Sequence, residues 1–134
     1  MRLVEGDLDD SGEHARVLLT NARKYGVPKY IATAQRLLGE IAALKGDHNT
    51  AEEELTRSLE PFAAHPMPLI EWRHHAALGR LLAFRHRPAA ALEAFNRAEE
   101  LLQGLAASIN DPALREMFLQ TRSVREVMAR SAAT

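Results

Sequence analysis

Cysteine is absent from this chain of 134 residues. A disulfide framework, a thiolate nucleophile and a thiolate-ligated metal centre are therefore excluded, and the absence suits a reducing compartment. An excess of charge of either sign is also missing: 17 Lys and Arg stand against 18 Asp and Glu, for a formal net charge of −1. Without a global field to draw in a phosphate backbone or an anionic bilayer surface, neither nucleic acid nor membrane is an expected partner. No run approaches the roughly 20 apolar residues that cross a bilayer. At the start, "MRLVEGDLDD" places acids where a secretory signal needs an apolar core of about 7 to 15 residues, so a cytoplasmic location is expected. The sequence contains no glycine-rich phosphate loop, no Gly-x-Ser-x-Gly elbow and no His-Glu-x-x-His. Ser11, Ser58, Ser108, Ser123 and Ser131 stand in no motif. The expectation is a protein that is not an enzyme and needs no cofactor or metal.

What is present favours helix. The chain is 46% hydrophobic and 26% charged, rich in Ala, Leu, Glu and Arg and poor in β-branched residues. Its length suits one ordinary domain, which if compact buries about two thirds of its unfolded surface. Residues 1–12, with four acids and two glycines, read as a loose lead-in whose Leu3, Val4 and Leu8 can pack locally. From Glu13 to Tyr25, residues Ala15, Leu18, Leu19, Ala22 and Tyr25 recur at three- and four-residue steps, one stripe of a helix that Gly26 stops. A second helix is expected over Lys29–Lys45, ended by Gly46-Asp47. Thr50 and Glu53 have the form of a capping box, which predicts a third helix starting near Asn49 or Thr50. "PFAAHPMP", with three prolines in eight residues, is the main break. Helix resumes from Leu69 to about Arg85, and again from Pro88 to about Ile109. Asp111 is a plausible cap for one long or two short terminal helices carrying Leu114, Met117, Phe118, Val124, Val127 and Met128.

One pattern is written twice. Leu38-Gly39 and Leu78-Gly79 lie forty residues apart, and from each glycine it is twelve residues to an alanine (Ala51, Ala91), four more to a large apolar residue (Leu55, Phe95) and three more to a small one (Ser58, Ala98). Glycine inside a helix costs about 1 kcal/mol relative to alanine, so both positions need a compensating close approach. In an antiparallel helix pair with a short turn, Gly39 comes level with Ala51 and Gly79 with Ala91. Leu55 and Phe95 then fill the wider gap against Leu38 and Leu78.

This arrangement resembles the tetratricopeptide repeat, a helix-turn-helix unit of about 34 residues that stacks into a right-handed superhelix. The alanine markers Ala15, Ala51 and Ala91 are spaced more widely than that family's period, and its first-helix tryptophan is replaced by Gln35 and His75, with Trp72 one turn earlier. The resemblance implies an all-α fold of antiparallel helix pairs in one domain over residues 1–134. It comprises a half repeat at 13–25, repeats at 29–60 and 69–109, and capping helices at 111–130. More loosely, "HPMPLIEWRHHAALGRLLA" and "LAASINDPALREMFL" look like the helical repeat regions of large bacterial signalling regulators. Both resemblances imply a scaffold that binds a protein or peptide partner.

In such stacks the first helix of each repeat lines the concave groove. Carried over from Gly39 and Gly79, this implies a groove of Thr33, Arg36, Glu40 and Ala43 on one helix and Arg73, Ala76, Arg80 and Phe84 on the other. Three arginines there suit an acidic or carboxylate-ended peptide. The family's clamp of lysines and asparagines is not matched, and Arg36 can pair with Glu40 one turn on, so a solvated charged face is the competing reading. The half repeat leaves Ala15, Leu18, Leu19, Ala22 and Tyr25 as a face open to a second copy, which makes homodimerisation the alternative function. Glu71, His74 and His75 in "EWRHH" have the Glu-x-x-His spacing of di-iron bundles, but in a single copy. An acid and two histidines that cap or pack is the plainer expectation. His86, in "RHRP", reads as a helix-end cation beside Arg85 and Arg87.

Overall fold

A computed structural model describes residues 3–132, with side chains from residue 6 onward. All regular structure among the described residues is helical: α1 (Leu3–Tyr25), α2 (Pro28–Leu44), α3 (His48–Arg57), α4 (Pro61–Ala64), α5 (Pro68–Phe84), α6 (Pro88–Ala107), α7 (Pro112–Leu119) and α8 (Arg122–Ala132). The all-α expectation holds. Five of the six prolines open a helix, at Pro28, Pro61, Pro68, Pro88 and Pro112. At that position the missing N–H has no intrahelical acceptor to lose and the ring holds φ near its helical value. Contacts gather into two compact units, the first ending at Pro66 and the second starting at Met67.

In the first unit the expected loose lead-in is helix, and α1 runs unbroken through Gly6 and Gly12 for 23 residues. Tertiary contact holds its N-terminal half: Asp9 pairs with Lys45 at the end of α2, and a Cβ added at Gly12 would lie 3.9 Å from Ile41. Leu8 is half-buried, whereas the expected packing of Leu3 and Val4 lies outside the described side chains. Helix α3 starts earlier than the capping box implied. Asp47 is the cap, its carboxylate accepting from Thr50 N at 3.2 Å, and that hydrogen bond holds its pKa below the ordinary carboxylate value.

Three turns share one hydrogen-bond pattern. Val27 N donates to Ala22 O (2.9 Å), Asp47 N to Ala42 O (2.9 Å) and Arg87 N to Leu82 O (3.0 Å). Each is the long bond of a Schellman ending, which needs a left-handed residue just past the helix. Gly26 (φ 65°) and Gly46 (φ 87°) supply it twice, and His86 (φ 61°) supplies it the third time.

Both glycines of the doubled pattern are buried, and both make room for a side chain. A Cβ at Gly39 would sit 2.7 Å from Leu55 Cγ and 3.1 Å from the Ala51 carbonyl oxygen. One at Gly79 would lie 2.9 to 3.0 Å from three atoms of the Phe95 ring. Phe95, expected to fill the gap against Leu78, thus also occupies the space that Gly79 leaves. In the second unit Trp72, Ala76, Phe95, Leu102, Val124 and Val127 belong to one core built by α5, α6 and α8. The terminal segment is two helices. Asp111 caps α7 by accepting from Ala113 N (2.8 Å) and Leu114 N (3.2 Å).

Candidate interaction surfaces

On α2, Thr33 Oγ1 donates to the Lys29 carbonyl at 2.8 Å, and Arg36 pairs with Glu40 one turn on. On α5, Arg73 is exposed and stacks over the Trp72 ring with its guanidinium 4.5 Å from the centroid. Ala76 is a correction: at 1% exposure it belongs to the core and can meet no ligand. Arg80 donates to Glu126 of α8 at 3.3 Å, a carboxylate that also faces Arg130. Phe84 stays 66% exposed. Two of the three arginines expected to read an acidic peptide are thus already engaged by carboxylates, and the positive character that the resemblance implied for this face is largely neutralised.

The self-association stripe divides. Ala15 and Ala22 are buried, Leu18 and Leu19 are half-buried, and Tyr25 is exposed. The α1 face that periodicity marked as open is therefore partly used within the chain.

Two polar residues forty positions apart, Gln35 and His75, have visible roles. Gln35 is buried, and with its amide oriented to satisfy both neighbours it donates to the Arg57 carbonyl and accepts from Arg23, each at 3.2 Å. It thereby links α1, α2 and the end of α3. His75 Nε2 lies 2.9 Å from Glu71 Oε2, and Arg97 of α6 approaches the same oxygen at 3.7 Å. Burial lowers the His75 pKa below its ordinary value, outweighing the opposing hydrogen bond to Glu71. His74 is fully buried. Among the described residues no group of three His, Asp or Glu side chains could hold a metal ion.

Sequence reasoning missed a groove of about 620 Å³ between α5 and α6. Leu78, Leu82, Ala90 and Ala94 form its apolar lining, and His75, Glu93, Asn96, Arg97 and Glu100 its polar lining. A smaller groove of about 310 Å³ in the first unit is lined by Leu38, Ala42, Thr50 and Glu54, each forty positions before its counterpart, and there Gly12 and Arg16 of α1 also contribute. The forty-residue offset could have paired these positions in advance, but their openness to solvent left no trace in the periodicity.

Compared with known proteins, the chain matches no family model, no curated protein and no solved structure. No described helix is long and apolar enough to cross a membrane.

Proposed function

We propose that this protein is a non-enzymatic interaction module, a tetratricopeptide-like helical scaffold that binds a protein or peptide partner within a cytoplasmic regulatory or signalling system. The observation that carries the reading is the repeated helix pair. In α2/α3 and in α5/α6 a mid-helix glycine admits the large residue sixteen positions on, and the turn between the helices closes with the same hydrogen bonds. Helical pairs of this kind offer grooves and exposed faces to partner segments. On α5, Arg73, Arg80 and Phe84 are exposed members of the expected peptide face, Arg80 already paired with Glu126. The test is capture of a defined partner from the native host by the immobilised chain, compared with an Arg73→Glu, Phe84→Ser variant of unchanged helicity. A partner retained equally by parent and variant removes this face from the binding surface. The absence of any specific partner removes the reading.

Homodimerisation through the α1 stripe is the second reading, supported by the 72% exposure of Tyr25 and the partial exposure of Leu18 and Leu19.

A further inference from the structure

The two grooves described above are the same place in two repeats, and only one has a third wall. In the first unit Gly12 and Arg16 of α1 close part of the groove between α2 and α3. In the second unit the lining residues come from α5 and α6 alone, and the groove is twice the size, about 620 Å³ against 310 Å³. The chain itself thus shows what this groove shape accepts, namely a helix that brings a small residue close and sets an arginine one turn further on. Small residues let helix axes approach, and the long stem of arginine covers apolar surface. Arg16 lines the first groove while its guanidinium pairs with Glu13 of its own helix at 3.2 Å, whereas the second groove offers a docked basic residue Glu93.

Charge points the same way. The rim carries Glu93 and Glu100, with Glu71 just behind them, against the single cation Arg97. That arginine already serves two carboxylates, Glu100 at 3.3 Å and Glu71 at 3.7 Å. Glu93 is exposed and has no cationic partner among the described residues. The floor is short and apolar, with Ala90 half-buried and Ala94 buried. The complementary ligand is therefore basic on the side that faces α6 and small or aliphatic beneath.

We propose that the α5/α6 groove is a docking seat for one α-helix of a partner protein, a helix that presents a small residue followed four positions later by an arginine or lysine. This rests on the interaction-module reading and assigns it a site. Docking adds a third helix to the pair and places the basic side chain against Glu93.

The chain supplies its own probe. A synthetic peptide of residues 11–25 contains Gly12 and Arg16, omits the acidic start of α1, and carries Arg16, Arg23 and Lys24 against Glu13. Titrated into the isotope-labelled full chain, it should shift amide signals at Leu78, Ala90 and Ala94. Glu93→Arg, an exposed substitution checked by circular dichroism and melting temperature, should weaken binding about tenfold. An Arg16→Glu peptide should bind the parent as weakly and recover on the Glu93→Arg protein. Absence of any shift at roughly 1 mM peptide, shifts confined to residues 37–45, or an affinity indifferent to both charge reversals would each overturn the seat. A natural partner captured equally by the parent and Glu93→Arg would also overturn it, while leaving the broader interaction reading in place.

Discussion

His86 holds φ at 61° where the matching turn has Gly46 at 87°. A left-handed conformation costs an ordinary L-residue about 1 to 2 kcal/mol, because Cβ crowds the following carbonyl. His86→Gly should therefore stabilise the protein by about 0.5 to 1 kcal/mol, once the greater freedom of glycine in the unfolded chain is subtracted. Gly46→Ala should act in the opposite sense even though nothing lies within 4 Å of the added Cβ, because the backbone angle alone disfavours it. Urea midpoints for the two variants check both signs, and a less stable His86→Gly protein would contradict the account. His75 gives a pH signature. Its folded pKa lies below the ordinary value, so the unfolded chain binds the proton more readily than the folded one. The associated stability is present above about pH 6.5 and is lost as pH falls from there toward the folded pKa. Melting temperatures compared at roughly pH 7.5 and 5.5 should fall with acidity, and His75→Gln should reduce the fall.

At the scale of an element, the two mid-helix glycines decide how closely the paired helices pack. Gly79→Ala would gain about 1 kcal/mol of helix propensity but would bring Cβ within 3.0 Å of a ring that is only 2% exposed. Overpacking of this kind costs about 1 to 3 kcal/mol, so the net change should be a loss, and Gly79→Leu should lose more. An unchanged melting temperature for Gly79→Leu would count against the helix-pair geometry. Helix α7 has no buried residue and leaves Leu114 and Met117 exposed. Arg115 ties it down. Its Nε lies 3.2 Å from the Ala106 carbonyl oxygen, and its Nη2 donates to the Ile109 carbonyl at 2.6 Å. The side chain thus satisfies carbonyls at and just beyond the end of α6. Arg115→Ala should cost about 1 to 3 kcal/mol, with faster amide exchange concentrated in α7. Uniform exchange across α6 to α8 would refute the tethering role.

For the whole molecule, the division near Pro66 makes a separable prediction. Residues 67–134 contain the core formed by α5, α6 and α8, and expressed alone they should give a helical spectrum and a cooperative melt. Self-association is tested by sedimentation of the intact chain beside a Leu18→Glu, Leu19→Glu variant. A parent that remains monomeric near roughly 100 μM removes the dimer reading, since covering the exposed part of two half-buried leucines would contribute on the order of 1 kcal/mol each. A dimer dissociated by these substitutions without loss of helicity supports it.

Several helix ends were legible in the sequence because they depend on a few neighbouring residues: proline at the first turn of α6 and α7, Asp111 as a cap, and glycine past the ends of α1 and α2. The start of α1, the Asp47 cap of α3 and the short α4 were not. The forty-residue pattern likewise marked Gly39 and Gly79 as sites of close approach, since a mid-helix glycine is unfavourable without tertiary compensation. Periodicity could not say which atoms fill that space, and it was the groove carried over from the repeat resemblance that put Ala76 on a ligand face where the structure buries it. Partners distant along the chain were decided only by the tertiary structure. Glu126 meets Arg80 across 46 residues, Arg97 reaches Glu71 from another helix, and Lys45 pairs with Asp9 near the start of an extended α1. Backbone preference is a short-range property that survives in any local window. The partner of a long charged side chain depends on where a second helix passes, and that is settled only when the helices pack.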